Sequence, residues 1–130
     1  MSALSDYAEK LLLDYMMTNG SVTRPTAWYI GLFTSATNDS TGGTEVSGNG
    51  YARQSVTFDA ATTTTGTTSN SNAPTFTAAG GNWGTITHIA IFDALTGGNR
   101  LWHGALAASK SIDDGDSLQF AIGNVDLTLA

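Results

Sequence analysis

The sequence predicts an all-β fold, an antiparallel β-sandwich or jelly-roll of seven to eight strands with one N-terminal amphipathic α-helix. Only the first segment has apolar residues at helical spacing, whereas the chain after Pro25 alternates with period two. Short apolar runs are separated by Gly, Asn, Ser and Thr, and they do not alternate with helices. We therefore divide the 130 residues into an N-terminal helix segment, 1–20, and a β-sandwich domain, 21–130.

The helix is predicted from Leu4 to Met17 by an apolar stripe at spacings of three and four residues. Either Asp6 or Ser5 can cap its N-terminus, and Asn19 with Gly20 supplies a left-handed residue that would end it. Since a short isolated helix is marginal in water, the stripe must pack against its own domain or against a neighbouring subunit. The stripe comprises Leu4, Tyr7, Ala8, Leu11, Leu12, Tyr15 and Met16.

The strand predictions begin with TAWYIGLFT and TITHIAIFD, which are apolar on both faces and therefore central. A TGGN turn signal joins TITHIAIFD to LWHGALA as a hairpin, and YARQSVTF is a strand with Val56 and Phe58 inward. SLQFAI and NVDLTL complete the set. The predicted core includes Ile30, Leu32, Ile89, Ile91, Phe120, Ile122 and Leu127.

Two polar stretches are predicted to lie outside this framework. Residues 34–50 are dense in Gly, Ser, Thr and Asn, which indicates a surface loop. Residues 59–72 are low in complexity and cannot order themselves unless a neighbouring strand pairs with them, although threonine favours an edge ribbon.

Composition excludes several function classes. A net charge of -6, with 5 basic and 11 acidic residues, leaves no basic surface for nucleic acid or for an anionic membrane. No stretch is long enough to span a bilayer, and the acidic N-terminal segment lacks a secretory signal, so we expect a protein used without export. The absence of cysteine excludes thiol chemistry.

The inventory of reactive side chains predicts that the protein is not an enzyme, with no catalytic residue and no cofactor. Two histidines and two glutamates stand without any nucleophile or metal motif. His88 and His103 could meet across a hairpin and bind a metal with Asp93, but hydrogen-bonded imidazoles on a half-buried sheet explain them more simply. We assign no metal site to them.

The acidic run Asp113, Asp114 and Asp116 offers the oxygen ligands that calcium prefers, but it lacks the full calcium-loop pattern. A solvated turn explains the same residues, so ion binding there stays open. The glycine-rich GTEVSGNG has no lysine and is not a phosphate loop.

A carbohydrate-binding module, in which aromatic residues form a platform for sugars, is a weaker alternative function. Two of the three tryptophans, Trp28 and Trp102, lie in predicted strands, where they are expected to fill the core, and Tyr29 and Tyr51 are nearby in sequence. Trp83, within GGNWGT, is either exposed or closes one end of the sandwich.

Several segments together resemble a family of small bacteriophage virion proteins described as tail-fibre-like or decoration-like. They are LSDYAEKLLLDYMM, WYIGLFTSAT, GTEVSGNGYARQSVTF, NWGTITHIAIFDALTGGNRLWHGALA and SKSIDDGDSLQFAIG. Related chains vary at the position of TTTTGTTSNSNAPTF. The resemblance implies a structural component of the particle.

Within that class, we expect a capsid decoration or cement protein bound to the shell exterior, because the chain is too short to hold both an attachment domain and a fibre shaft. A tail fibre, neck or baseplate adaptor is the alternative. The expected partners are copies of itself, as a homotrimer, and the major capsid protein or another virion protein, in a virion assembled in the host cytoplasm. The residues predicted for the assembly interface are Leu4, Tyr7, Leu11, Tyr15 and Trp83.

Overall fold

The computed structural model describes residues 2–129, so Met1 and Ala130 of the two predicted segments lie outside it. Over these residues the all-β prediction is confirmed, with nine strands in antiparallel sheets and one short helix. The elements in chain order are β1 (Ser2–Leu4), α1 (Asp6–Met17), β2 (Tyr29–Phe33), β3 (Gln54–Ser55), β4 (Thr67–Ser69), β5 (Thr75–Thr77), β6 (Gly84–Phe92), β7 (Arg100–Ile112), β8 (Ser117–Gln119) and β9 (Asp126–Thr128).

The principal sheet has the order β1-β7-β6-β2-β3. As predicted for a strand with two apolar faces, β2 lies inside this sheet, where Ile30 pairs with Ile91 and Leu32 with Ile89. The hairpin of β6 and β7 turns at residues 93–99, and Gly97 and Gly98 there have positive φ angles that favour glycine. Two ribbons, β4-β9 and β5-β8, complete the fold.

The core lies between the principal sheet and the two ribbons. Ile30, Leu32, Ile91, Phe120 and Leu127 are buried as predicted, and Ile89 is half-buried against the same cluster. The prediction for Ile122 is wrong, since its side chain is 66% exposed. β8 ends at Gln119, and the chain then turns through Gly123, which breaks the alternation that SLQFAI suggested.

Buried Asn70 holds that turn in place. Its side-chain amide donates to the carbonyl of Ala121 at 3.0 Å, and its Oδ1 accepts from the backbone N–H of Val125 at 2.8 Å. Asn70 follows β4, which pairs with β9. Residues 59–72 were expected to be ordered only if a neighbouring strand paired with them, and β9 pairs with their second half.

The N-terminal segment departs from prediction at both ends of the helix. Residues 2–4 form a strand, because their backbone pairs with β7. Of the two predicted caps, Ser5 is the one that the structure shows: its Oγ accepts from the N–H of Ala8 at 3.1 Å and donates to the carbonyl of Arg100. The chain leaves the helix through Thr18 in an extended conformation, so the predicted left-handed ending is wrong.

The remaining differences concern strand lengths. β7 extends well beyond LWHGALA. Its pairing with β6 is interrupted by a β-bulge, where the register shifts between Ile86 and His88 of β6. β5 was not predicted, and β3 covers only two residues of YARQSVTF, although Val56 is buried and Phe58 packs against the core. Within the described residues, no helix has the length and hydrophobicity needed to cross a membrane.

Candidate functional site

An arginine–aromatic cluster covers the face of the principal sheet that points away from the main core. Phe33, Ala90 and Phe92 form a small buried group there. The guanidinium of Arg53 lies 3.5 Å from the centre of the Phe92 ring, and that of Arg100 lies 5.0 Å from the Phe33 ring. Cation–π attraction and the apolar side-chain stems therefore hold both arginines against the sheet.

Glu45 connects this cluster to the loop of residues 34–50. Its carboxylate receives two hydrogen bonds from Arg53, from Nε at 2.8 Å and from Nη2 at 2.9 Å, and a third from the Tyr51 hydroxyl at 2.7 Å. Tyr51 in turn accepts from the N–H of Leu32 at 3.0 Å. A bidentate pair of this kind fixes the orientation of both side chains.

The backbone leaves room for this network at Gly31, in the middle of β2. A Cβ atom at that position would lie 2.7 Å from Oε2 of Glu45 and 3.1 Å from the Phe92 ring. Glycine therefore permits the close approach of the carboxylate to the sheet. On the other side, Arg53 Nη1 donates to the carbonyls of Ala94 and Gly97, which ties the β6–β7 turn to the same point.

The pKa of Glu45 reflects competing causes. Burial alone would raise it, but the hydrogen bonds from Arg53 and Tyr51, together with the charges of Arg53 and Arg100, outweigh burial and lower the pKa below its ordinary value of 4.5. Burial and the hydrogen bond to Glu45 raise the pKa of Tyr51, so its hydroxyl stays protonated as a donor.

This lowered pKa predicts acid sensitivity. A carboxyl with a lowered pKa in the folded state stabilises the fold above its unfolded pKa, near 4.5, and this contribution is lost as the pH falls through the lower folded pKa. We expect the destabilisation caused by Glu45→Gln, measured by urea unfolding at about pH 7 and then at stepwise lower pH, to shrink below pH 4.5. A pH-independent difference between the two proteins would contradict this.

The two histidines do not face one another. His88 pairs with Ala105 and donates to or accepts from Thr87, whereas His103 pairs with Ala90. The ring of His103 contacts the Thr37 hydroxyl at 2.9 Å and a carboxylate oxygen of Asp39 at 2.7 Å. Both are hydrogen-bonded residues on a half-buried sheet, and only the ring of His103 contacts the 34–50 loop.

The carboxylates considered for metals act in turns. Asp93 accepts from the backbone N–H of Asn99 at 2.7 Å, which closes the hairpin. Asp114 accepts from the N–H of Gly80 and Asp116 from that of Asp113. Among residues 2–129, no group of three or more potential ligands is placed to hold a metal ion.

Trp83 belongs to the core of its own chain. Its side chain is buried, its indole N–H donates to the carbonyl of Asn49 at 3.0 Å, and its ring lies edge-on to Tyr51 at 5.5 Å. Trp28, Tyr51 and Trp102 also pack against the core cluster. Tyr29 is half-buried in β2, so the five aromatic side chains considered for sugars are packed into the fold and do not form an exposed platform.

The helix covers only part of its predicted stripe. Ala8 is buried and Leu11 and Leu12 are half-buried, where α1 contacts β7 and β1. Leu4, in β1 opposite Trp102, is half-buried as well. The side chain of Tyr7 is 37% exposed. The C-terminal half of the helix presents exposed apolar side chains, which are Leu13, Tyr15, Met16 and Met17.

The sheet, the loop network and the helix all fall within one family match. Residues 3–128 match the family described as Podophage GP4 fiber I protein gp80. The chain belongs to this family. It is a bacteriophage virion structural protein, which confirms the resemblance at that level and places it among virion components. No curated protein matches the chain.

In this gp80-family chain, sequence reasoning missed Glu45, Arg53 and Arg100. A usable signal existed, because the chain has only five basic residues. Of these, Arg53 precedes QSVTF and Arg100 begins RLWHGALA, and both segments are rich in strand-forming residues. The partner Glu45 lay inside a stretch interpreted as a surface loop. Its isolated bridge to Phe33 is a tertiary contact without a local pattern.

Proposed function

We propose that this chain is a non-catalytic structural subunit of a phage fibre, and that it assembles as a homotrimer through the exposed half of α1. The description of its family supports a fibre rather than a capsid decoration role. A fibre built from several subunits does not require one chain to contain a shaft, which removes the length argument for a decoration protein.

The observation that carries the proposed interface is the apolar patch on α1. Leu13, Met16 and Met17 are separated by three and four residues, so they are neighbours on one side of the helix. Their side chains are 60%, 67% and 73% exposed. Exposed apolar patches on soluble domains commonly mark interaction surfaces, and symmetric association of copies would cover this one.

We expect the variant Leu13→Ser/Met17→Ser to shift the protein from trimer to monomer, as measured by light scattering after size-exclusion chromatography. Because both side chains are exposed, the urea midpoint should stay close to that of the wild type. Leu95→Ser is the matched control, since Leu95 is an exposed apolar residue in the β6–β7 turn. A monomeric wild type, or a trimeric double variant, would contradict the interface.

A separate experiment tests where this chain lies on the phage particle. Gold-labelled antibodies against this chain, applied to intact virions, are expected to label fibres in electron micrographs. Labelling spread over the shell would instead support the capsid decoration role and overturn the fibre proposal.

A further inference from the structure

An open cleft of about 290 Å³ lies between the 34–50 loop and the arginine–aromatic cluster. Its polar lining includes Ser40, Thr41, Glu45, Arg53 and Arg100. The volume lies just below the range of about 300–1,000 Å³ that is typical of small-molecule sites, which suits one small polar group rather than an extended ligand.

Arg100 is the unusual member of this lining. Its residue is only 9% exposed, yet within the described part of the chain its guanidinium makes one hydrogen bond, from Nη1 to the carbonyl of Asn38 at 2.9 Å. Its Nε is buried without any partner. A guanidinium carries five N–H donors, and leaving even one of them buried and unpaired, as Nε is here, is costly.

Arg53 differs from Arg100 in making four hydrogen bonds, two to Glu45 as a bidentate pair and one each to the carbonyls of Ala94 and Gly97. The charge of Arg53 is therefore compensated by Glu45, whereas no salt bridge among residues 2–129 involves Arg100. Among the residues that line the cleft, two arginines and one glutamate sum to a single positive charge. Burial lowers the pKa of Arg100, the charge of Glu45 opposes this, and that of Arg53 adds to it.

The rim of the cleft supplies further donors in a fixed geometry. Asn38 Oδ1 accepts from the N–H of Ser40 at 2.9 Å and from that of Gly42 at 2.8 Å, which shapes the loop. No hydrogen bond within residues 2–129 uses the hydroxyl of Ser40 or of Thr41. These hydroxyls can therefore donate to a ligand beside Arg100.

The geometry points to a binding site for a monoanionic carboxylate group, carried by a small polar molecule such as an acidic sugar. A planar carboxylate matches the fork of a guanidinium and can also accept from the hydroxyls. A dianionic phosphate fits less well, because the cleft has one uncompensated positive charge and Glu45 would repel the second negative charge.

The test is an NMR titration of the full chain with sodium glucuronate, followed at the backbone amides of Thr41, Gly98 and Arg100. We expect saturable shifts, with a dissociation constant on the order of millimolar. Glucose tests whether the charge is needed, acetate separates a bare carboxylate from an acidic sugar, and inorganic phosphate tests the preference for a monoanion. Absence of saturation with both glucuronate and acetate, or tighter binding of glucose or phosphate, would overturn the proposal.

Variants localise the site. Arg100→Lys keeps the charge but removes the fork, and it should weaken glucuronate binding about tenfold or more. Arg24→Lys makes the same change at an exposed arginine and should leave binding unchanged. If Arg100→Lys does not fold, Ser40→Ala/Thr41→Val provides the decision, since both residues are exposed on the loop and their loss should weaken binding several-fold. Wild-type affinity in the folded variant would overturn the assignment.

Discussion

Replacement of Phe76 by alanine is expected to lower the free energy of unfolding by about 3–5 kcal/mol, enough to remove much of the stability of a small domain. Phe76 in β5 is 0% exposed. Its ring stacks on Tyr51 at 6.3 Å and meets Phe120 edge-on at 6.1 Å. Truncation would therefore leave a cavity between the β5-β8 ribbon and the principal sheet, and urea unfolding would measure the loss.

The control is Ile122→Ala, which removes a large apolar side chain from an exposed turn. We expect a change within about 0.5 kcal/mol, because little apolar surface at Ile122 is withdrawn from water. Equal destabilisation by the two substitutions would show that the core is not centred on Phe76.

The second large effect is expected at Arg53. Arg53→Met preserves an apolar stem beside Phe92 but removes the donors to Glu45 and to the carbonyls of Ala94 and Gly97. Breaking a buried ion pair by removing one partner typically costs about 3–5 kcal/mol. Because the side chain of Glu45 is 25% exposed, we expect about 2–4 kcal/mol in urea unfolding.

Double substitution separates the lost pairing from the lost packing. Arg53→Met combined with Glu45→Gln should destabilise by less than the sum of the single changes, since the second substitution removes the unpaired carboxylate. Arg24→Met is the matched control at an exposed arginine and should have little effect. Strict additivity of the two substitutions would contradict a coupled network.

The strands that could be predicted from sequence were those whose side chains repeat a buried pattern. In TAWYIGLFT and TITHIAIFD, apolar residues occupy both faces, so neighbouring positions along the chain are enough to predict that β2 and β6 are buried. Ser2–Leu4 could not be predicted as a strand, because its pairing partner Trp102–Gly104 lies almost at the other end of the sequence. The prediction that Ile122 is buried was wrong because apolar and polar residues keep alternating through SLQFAI, although the strand ends at Gln119 and the backbone then turns.

The candidate site was harder to predict for the same reason. Glu45, Arg53 and Arg100 belong to three separate segments. The pairing of β2 with β3 and β6, the pairing of β6 with β7 and the bridge between Phe33 and Glu45 bring them together. Their proximity depends on Gly31, whose role is the absence of a side chain and leaves no mark in hydropathy. The histidines, by contrast, were correctly interpreted as hydrogen-bonded sheet residues.

The pairing of β1 with β7 also determines the order in which the molecule can fold. During synthesis, β1 and α1 leave the ribosome about a hundred residues before the strand that holds them, and contacts between such distant segments form slowly. The hydrogen bond from Ser5 to the carbonyl of Arg100, which fixes the start of the helix, must form equally late. The exposed apolar side chains of α1, including Met16 and Met17, are consequently attached to no sheet until β7 has been synthesised.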